Sequence, residues 1–217
     1  MKISTNGSLA VSDYFAPFNV VAENAIDQDL GSGGTLVLPD QVDASARTIH
    51  LAVGAGKDGN IYLVNRDSMG KFNPANNTAY QAIAGALGGS VFSMPAYFNG
   101  TIYYGPVGNP IKAFRLSNAL LPPTPSSLTP SAFPYPGTTP SISANGSNNG
   151  IVWAAENNGV AVLHAYDATN LSNELYNSNQ AGGRDQFGPS NKFITPMITH
   201  GKVYVGTTNS VAVFGLR

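Results

Sequence analysis

PMITHGKVYVGTTNSVAVFGL, residues 196–216, is the stretch that the rest of the chain repeats. It reads as a short apolar strand, a turn at His200-Gly201, a second strand at Lys202–Gly206, another turn, and a third strand at 211–216. The strands are β-branched or aromatic and Gly or Asn stands at each break, which is how hairpins are written. The phrase returns as PAYFNGTIYYGPVGNPIKAFRL at 95–116 and, more loosely, at 140–167 and 35–67. The prolines that anchor the copies, Pro39, Pro95, Pro140 and Pro196, stand 56, 45 and 56 residues apart. A period near 50 built from three or four short strands predicts propeller blades rather than a sandwich.

The composition agrees with an all-β chain. Of 217 residues only 11% are charged, while 24 are Gly, 15 Pro and 22 Asn. An ordinary soluble protein carries about 25% charged residues, so polar residues here serve turns rather than solvated helix faces. Five Asn-Gly pairs, at Asn6, Asn99, Asn145, Asn149 and Asn158, favour the positive φ of two-residue hairpins.

Several function classes are excluded or disfavoured. The net charge is −1 and Lys and Arg are scattered, so nothing tracks a phosphate backbone and no nucleic-acid partner is expected. No apolar run approaches the roughly 20 residues that span a bilayer, so no membrane partner is expected either. The opening MKISTNGSLAVSD lacks the apolar core of a signal peptide, which as written places the chain in the cytoplasm. With no Cys there are no disulfides, thiolate zinc sites or cysteine nucleophiles.

Two units are expected: residues 1–30, packing over one face of the array, and residues 31–217, the blades. Within the second, 57–60 reads as a hairpin turn and 81–89 as a flexible, small-residue stretch. Residues 122–140, with seven prolines, read as an extended surface connection, and 174–177 as an outer strand. The fourth blade ends at Arg217 without an outer strand.

The blades resemble those of the quinoprotein-type, or PQQ-like repeat, β-propellers. In that family a Gly-x-Val-Tyr-Val-Gly strand follows a proline, and an Ala-Leu-Asp strand then precedes a Thr-Gly-Lys turn and an aromatic. KVYVGT (202–207), TIYYG (101–105) and IVWA (151–154) match the second strand. LHAYDATN (163–170) and LVNRDSMGKF (63–72) match the third, with Asn170 in place of the glycine and Phe72 where Trp is usual. The resemblance implies four-stranded antiparallel blades, about four of them. Such rings usually hold six to eight, so the chain is either a compact four-bladed array or half of an eight-bladed ring completed by a second copy, the preferred reading, with a truncated longer protein behind both. Members of the family are often secreted or periplasmic. Catalytic members hold the quinone in a full ring, commonly over a disulfide and beside calcium; without Cys and with half the blades, PQQ binding is not expected here.

No nucleophile elbow of the G-x-S-x-G type is present. His50, His164 and His200 lie on or beside different blades and share no ligand spacing, so they read as strand or turn histidines satisfied by neighbours. The best candidate for a hard cation such as calcium is DQDLGSGG (27–34), with Asp27 and Asp29 before a glycine-rich turn; an Asx-turn pair is the simpler reading of the same residues. Glu156, Asn157, Asp167 and Asn170 offer further oxygens at blade ends. Together Asp27, Asp29, Asp167 and Asn170 are the candidate metal ligands. Exposed Tyr14, Phe15, Phe18, Tyr135 and Phe187 could stack on a sugar or a peptide, or pack over the blade faces. Two functions stay open: a non-catalytic binding or assembly module, and a calcium-dependent hydrolase of the lactonase type with a channel-bound ion polarising the carbonyl.

Overall fold

A computed structural model describes residues 1–215. The chain opens with a hairpin, β1 (Lys2–Ser4) and β2 (Ala10–Asp13), followed by helix α1 (Val20–Ala25). Blade 1 comprises β3 (Thr35–Val37), β6 (Leu51–Ala55), β7 (Ile61–Asn65) and β8 (Gln81–Ile83), in that order across the sheet; a side hairpin, β4 (Gln41–Val42) and β5 (Thr48–Ile49), interrupts it. Blade 2 runs β9 (Ala96–Phe98), β10 (Thr101–Tyr104), β11 (Asn109–Arg115) and β12 (Ser127–Phe133). Blade 3 runs β13 (Ser141–Asn145), β14 (Asn148–Asn158), β15 (Val160–Asp167) and β16 (Asn170–Asn177). Blade 4 has β17 (Met197–Thr199), β18 (Lys202–Gly206) and β19 (Val211–Gly215). All pairings within blades are antiparallel. The Leu216 end of the third strand expected there, and the chain end at Arg217, lie outside the described residues.

Turn chemistry sets the inner hairpins. Asn99-Gly100 (φ 47° and 77°) and His200-Gly201 (φ 49° and 70°) each join two strands through a two-residue turn with both residues left-handed. Asn149, also left-handed, lies within β14, where the pairing with β13 is irregular, instead of turning a hairpin.

Two connections, one expected to be flexible and the other an extended surface segment, carry strands. Residues 81–83 form β8, the outer strand of blade 1, with Ile83 buried against the core. Residues 127–133 form β12 despite Pro130, because β12 is an edge strand whose missing N–H costs no ladder bond. The pairing shifts between Pro110 and Lys112, and there Ile111 N–H donates to Thr129 Oγ1 at 2.9 Å, a side chain standing in for a strand carbonyl.

Alternation along each central strand sends side chains to the two neighbouring blades. Leu51, Val53, Ile61 and Leu63 of blade 1 meet Ile102, Tyr104 and Phe114 of blade 2. Tyr103, Ile111 and Phe133 meet Val152, Ala154 and Tyr166 of blade 3. Ala155 and Leu163 meet Val203 and Val205 of blade 4. Among the described residues the three clusters each join successive blades. Burying a side chain such as Leu63 or Ile102 contributes about 2 kcal/mol, so these interfaces hold the array together.

The two ends differ. At blade 1 the face turned away from blade 2 carries Ala52, Tyr62 and Val64, all buried, with the Phe15 ring 5.3 Å from Tyr62. At blade 4 no described residue covers the corresponding face. Met197, Tyr204 and Val213 stand in one row across its three strands, and Met197, Val211 and Val213 are 56%, 63% and 52% exposed.

Candidate functional site

The four candidate metal ligands fall into two separate pairs, one in the segment before blade 1 and one on blade 3. Asp27, left-handed at φ 58°, and Asp29 follow α1 and converge on the blade 1 turn, where Lys57 Nζ lies 2.8 Å from Asp27 Oδ2 and 2.7 Å from Asp29 Oδ2. The Lys57 hydrogen bond and charge hold the Asp27 carboxyl below its ordinary value, and the same contacts raise Lys57. An ammonium therefore sits between the two carboxylates, where a cation would. Asp167 and Asn170 flank the β15–β16 turn of blade 3. Asp167 Oδ1 accepts from Thr169 N at 2.8 Å and Thr169 Oγ1 at 2.7 Å, which lowers its pKa, and Asn170 Oδ1 accepts from Ser172. Both are Asx-type turn contacts. Among the described residues no group of three His, Cys, Asp or Glu is placed to hold a metal ion.

Each histidine has neighbours. His164 is buried between blades 2 and 3, with Nδ1 2.7 Å from Glu174 Oε1 and Nε2 3.2 Å from Glu156 Oε2. Its ring stacks on Tyr166 and meets Phe133 edge-on. The two carboxylates take opposite sides of the imidazole, an arrangement that fixes a ring rather than sharing an ion. His50 Nδ1 lies 2.7 Å from Asp67, and His200 Nδ1 2.9 Å from Thr199.

A different site forms where the loops leading into blades 2, 3 and 4 converge. Phe92 holds the middle, with Tyr135 at 5.6 Å and Phe193 at 6.4 Å, both edge-on. Tyr135 and Phe193 are 49% and 59% exposed, and Lys192 Nζ sits 4.9 Å from the Tyr135 centroid. Behind the rings is a cleft with a cavity volume of about 10 Å³, room for roughly one water. Its polar lining is neutral: Ser93, Thr138, Thr139, Asn157 and Asn191. Asn157 Nδ2 donates to Tyr135 O at 3.1 Å and Thr138 Oγ1 to Ala155 O at 3.0 Å, which fixes the loops on β14. Ser93 is 5% exposed, and its hydroxyl has no partner among the described residues.

Sequence reading singled out Tyr135 but passed over Phe92, Ser93 and Phe193. The signal was there: Phe92 and Phe193 both stand three residues before an anchoring proline, Pro95 and Pro196. A repeated aromatic at a lead-in position marks the same face twice.

No protein-family model matches the sequence, and no curated protein does. Solved structures do. BamB from Moraxella catarrhalis aligns with a TM-score of 0.50 at 12% identity, over 84% of this chain and 49% of its own. This chain is a partial β-propeller. Strands make up about 45% of it and helix 6%. The propeller spans about half the length of BamB. Also similar are the Swd1 propeller domain of Myceliophteria thermophila (TM-score 0.48, 10% identity, 83% of this chain and 52% of that one) and the designed protein Ika4 (0.49, 12%, 77% and 86%). At these identities the likeness concerns the fold.

Proposed function

We propose that this propeller is a non-catalytic binding and assembly module, related to the PQQ-like repeat proteins, that pairs with a second copy of itself through blade 4. The bare face of blade 4 carries the reading. On the blade 1 face Ala52, Tyr62 and Val64 are buried and only the edge residue Val37 is open, whereas an exposed, contiguous apolar face such as that of blade 4 is where a protein expects a partner. Closing an eight-bladed ring would require blade 4 of one copy to dock on blade 1 of the other. Residues of the N-terminal segment already lie there, with Phe15 on Tyr62. A two-fold pairing of blade 4 with blade 4 leaves that cap in place and is self-complementary.

The face is small. Three strands spaced ~4.8 Å apart and rising about 3.3 Å per residue give a footprint on the order of 250 Å². Stable interfaces bury ~1,200 Å² or more in total, so the dimer is expected to be weak and concentration-dependent. Sedimentation equilibrium up to about 100 μM tests it. Wild type should approach twice the 22.6 kDa chain mass, and Val213→Glu should stay monomeric. Val37→Glu, on the 60% exposed edge of the blade 1 face, should leave the dimer intact; if it abolishes dimerisation, the copies close a ring instead. A wild-type monomer at every concentration would refute assembly by self-pairing.

A further inference from the structure

The cleft between the lead-in loops points to a second role, independent of assembly. We propose that its mouth binds a neutral oligosaccharide, with Tyr135 and Phe193 as stacking platforms on the solvent side and a single sugar hydroxyl entering the water-sized space behind them, which Ser93 and Asn157 line.

The site is marked first by what it lacks. Among the described residues no charged side chain lines the cleft, so nothing in it would neutralise a phosphate or carboxylate. The Lys192 ammonium already lies over the Tyr135 ring, where a ligand ammonium would sit. What it offers is flat apolar surface beside neutral donors and acceptors. A pyranose ring presents the same mixture in reverse: a face of C–H groups that packs on an aromatic plane, edged by hydroxyls that both donate and accept. A hydrogen-bonded hydroxyl contributes affinity only where the site's own polar groups are otherwise short of partners. Ser93 Oγ is such a group, buried and unpartnered in a native interior where nearly all buried polar atoms are bonded. The Asn157 side chain is anchored through its nitrogen to Tyr135 O, which leaves its oxygen as an acceptor of fixed orientation.

The aromatic geometry is also built rather than incidental. Phe92 is half-buried and contacts both outer rings edge-on, so Tyr135 and Phe193 are braced from behind while about half of each remains in solvent. Braced aromatics cost little ordering entropy on binding. A peptide added as a strand would need an open strand edge, which this lining of side chains does not supply, whereas a proline-rich peptide docks on aromatic rings without one.

Native gel electrophoresis through amylose, xylan, glucomannan or hydroxyethylcellulose tests the proposal, followed by calorimetry with the hexasaccharide of whichever polymer retards the protein. At least one polymer should retard wild type. Tyr135→Ala and Phe193→Ala should each weaken binding about tenfold or more, Ser93→Ala several-fold, and Tyr14→Ala, in the N-terminal segment, not at all. Phe193→Gln replaces the alanine variant if the latter lowers the melting temperature. Retardation by none of the four polymers overturns the proposal. So does binding that ignores both rings, or binding of a proline-rich decapeptide in place of the sugars.

Discussion

Tyr103 and Tyr104 are neighbours on β10 whose phenols enter opposite blade interfaces: the Tyr103 hydroxyl donates to Ala168 O at 2.7 Å across the blade 2–blade 3 contact, while the Tyr104 hydroxyl is buried with no partner among the described residues. Burial pushes the Tyr103 phenol up to about 12 and raises Tyr104 as well. A net intramolecular hydrogen bond is worth about 1 kcal/mol, whereas an unmet buried hydroxyl costs its desolvation. Tyr103→Phe should therefore lose about 1 kcal/mol in urea unfolding. Tyr104→Phe should lose nothing or gain a similar amount. Equal losses in the two variants would show that the Tyr104 hydroxyl is satisfied after all.

The Lys57 ammonium predicts the response to calcium. With both Asp27 and Asp29 turned onto it at 2.7–2.8 Å, a divalent ion would have to displace a fixed cation before finding two carboxylates. EDTA-treated wild type should melt at the same temperature with and without millimolar calcium, magnesium serving as control. Lys57→Met leaves the carboxylates facing each other; it should melt lower and regain stability in calcium, since a ligand of the folded state raises its stability. A saturable, calcium-specific rise in wild type would revive the hydrolase reading and its lactone substrates.

Glu23 sets a pH dependence. It is buried beside a groove of about 530 Å³ between α1 and residues 28–32, and Asn19 Nδ2 donates to its Oε1 at 2.9 Å. Burial first, and the Asp58 charge second, raise its pKa above the ordinary 4.5; the Asn19 bond offsets part of this. Above 4.5 the unfolded chain releases a proton that the folded chain still holds. This group's contribution to stability therefore falls as pH rises through the window up to the raised value, and its cost is complete above it. Glu23→Gln removes the charge and keeps the acceptor. Its melting temperature should exceed that of wild type at pH 7 and converge with it below pH 4.5. A variant less stable at pH 7 would mean that the ionised carboxylate is the form the fold prefers.

The blades were legible because their information is local. Two-residue turns such as Asn99-Gly100 and His200-Gly201, and β-branched runs such as KVYVG, specify hairpins from a few residues. The outer strands were harder. In β12 the proline content pointed to an extended surface connection, and only its place at an edge, a property of the assembled sheet, makes Pro130 acceptable in a strand. The site was mostly illegible for the same reason: Phe92, Tyr135 and Phe193 are far apart in sequence and meet only because three lead-in loops converge. The Asp27–Asp29 pair was legible as two neighbouring carboxylates, but Lys57, which lies between them, stands far along the chain in the β6–β7 turn.

Gly105 shows how tightly successive blades are joined. It follows β10, and its carbonyl accepts the N–H of Thr138, in the loop leading into blade 3, at 3.1 Å; Gly56 after β6 does the same for Val91, in the loop leading into blade 2, at 3.0 Å. The repeated strand-end glycine thus serves the approach of the next blade. A Cβ on Gly105 would run into the Thr138 carbonyl oxygen, a backbone atom that cannot rotate away. Gly105→Ala should cost about 1–3 kcal/mol, the range for overpacking a filled interior. Gly31→Ala is the control, since a Cβ there meets nothing within 4 Å and Gly31 is not left-handed; it should stay within about 0.5 kcal/mol of wild type. If Gly105→Ala matched the control in guanidinium unfolding, blade 3 could shift away from blade 2 at little cost, and the lead-in loop bearing Thr138 would be docked by side chains alone.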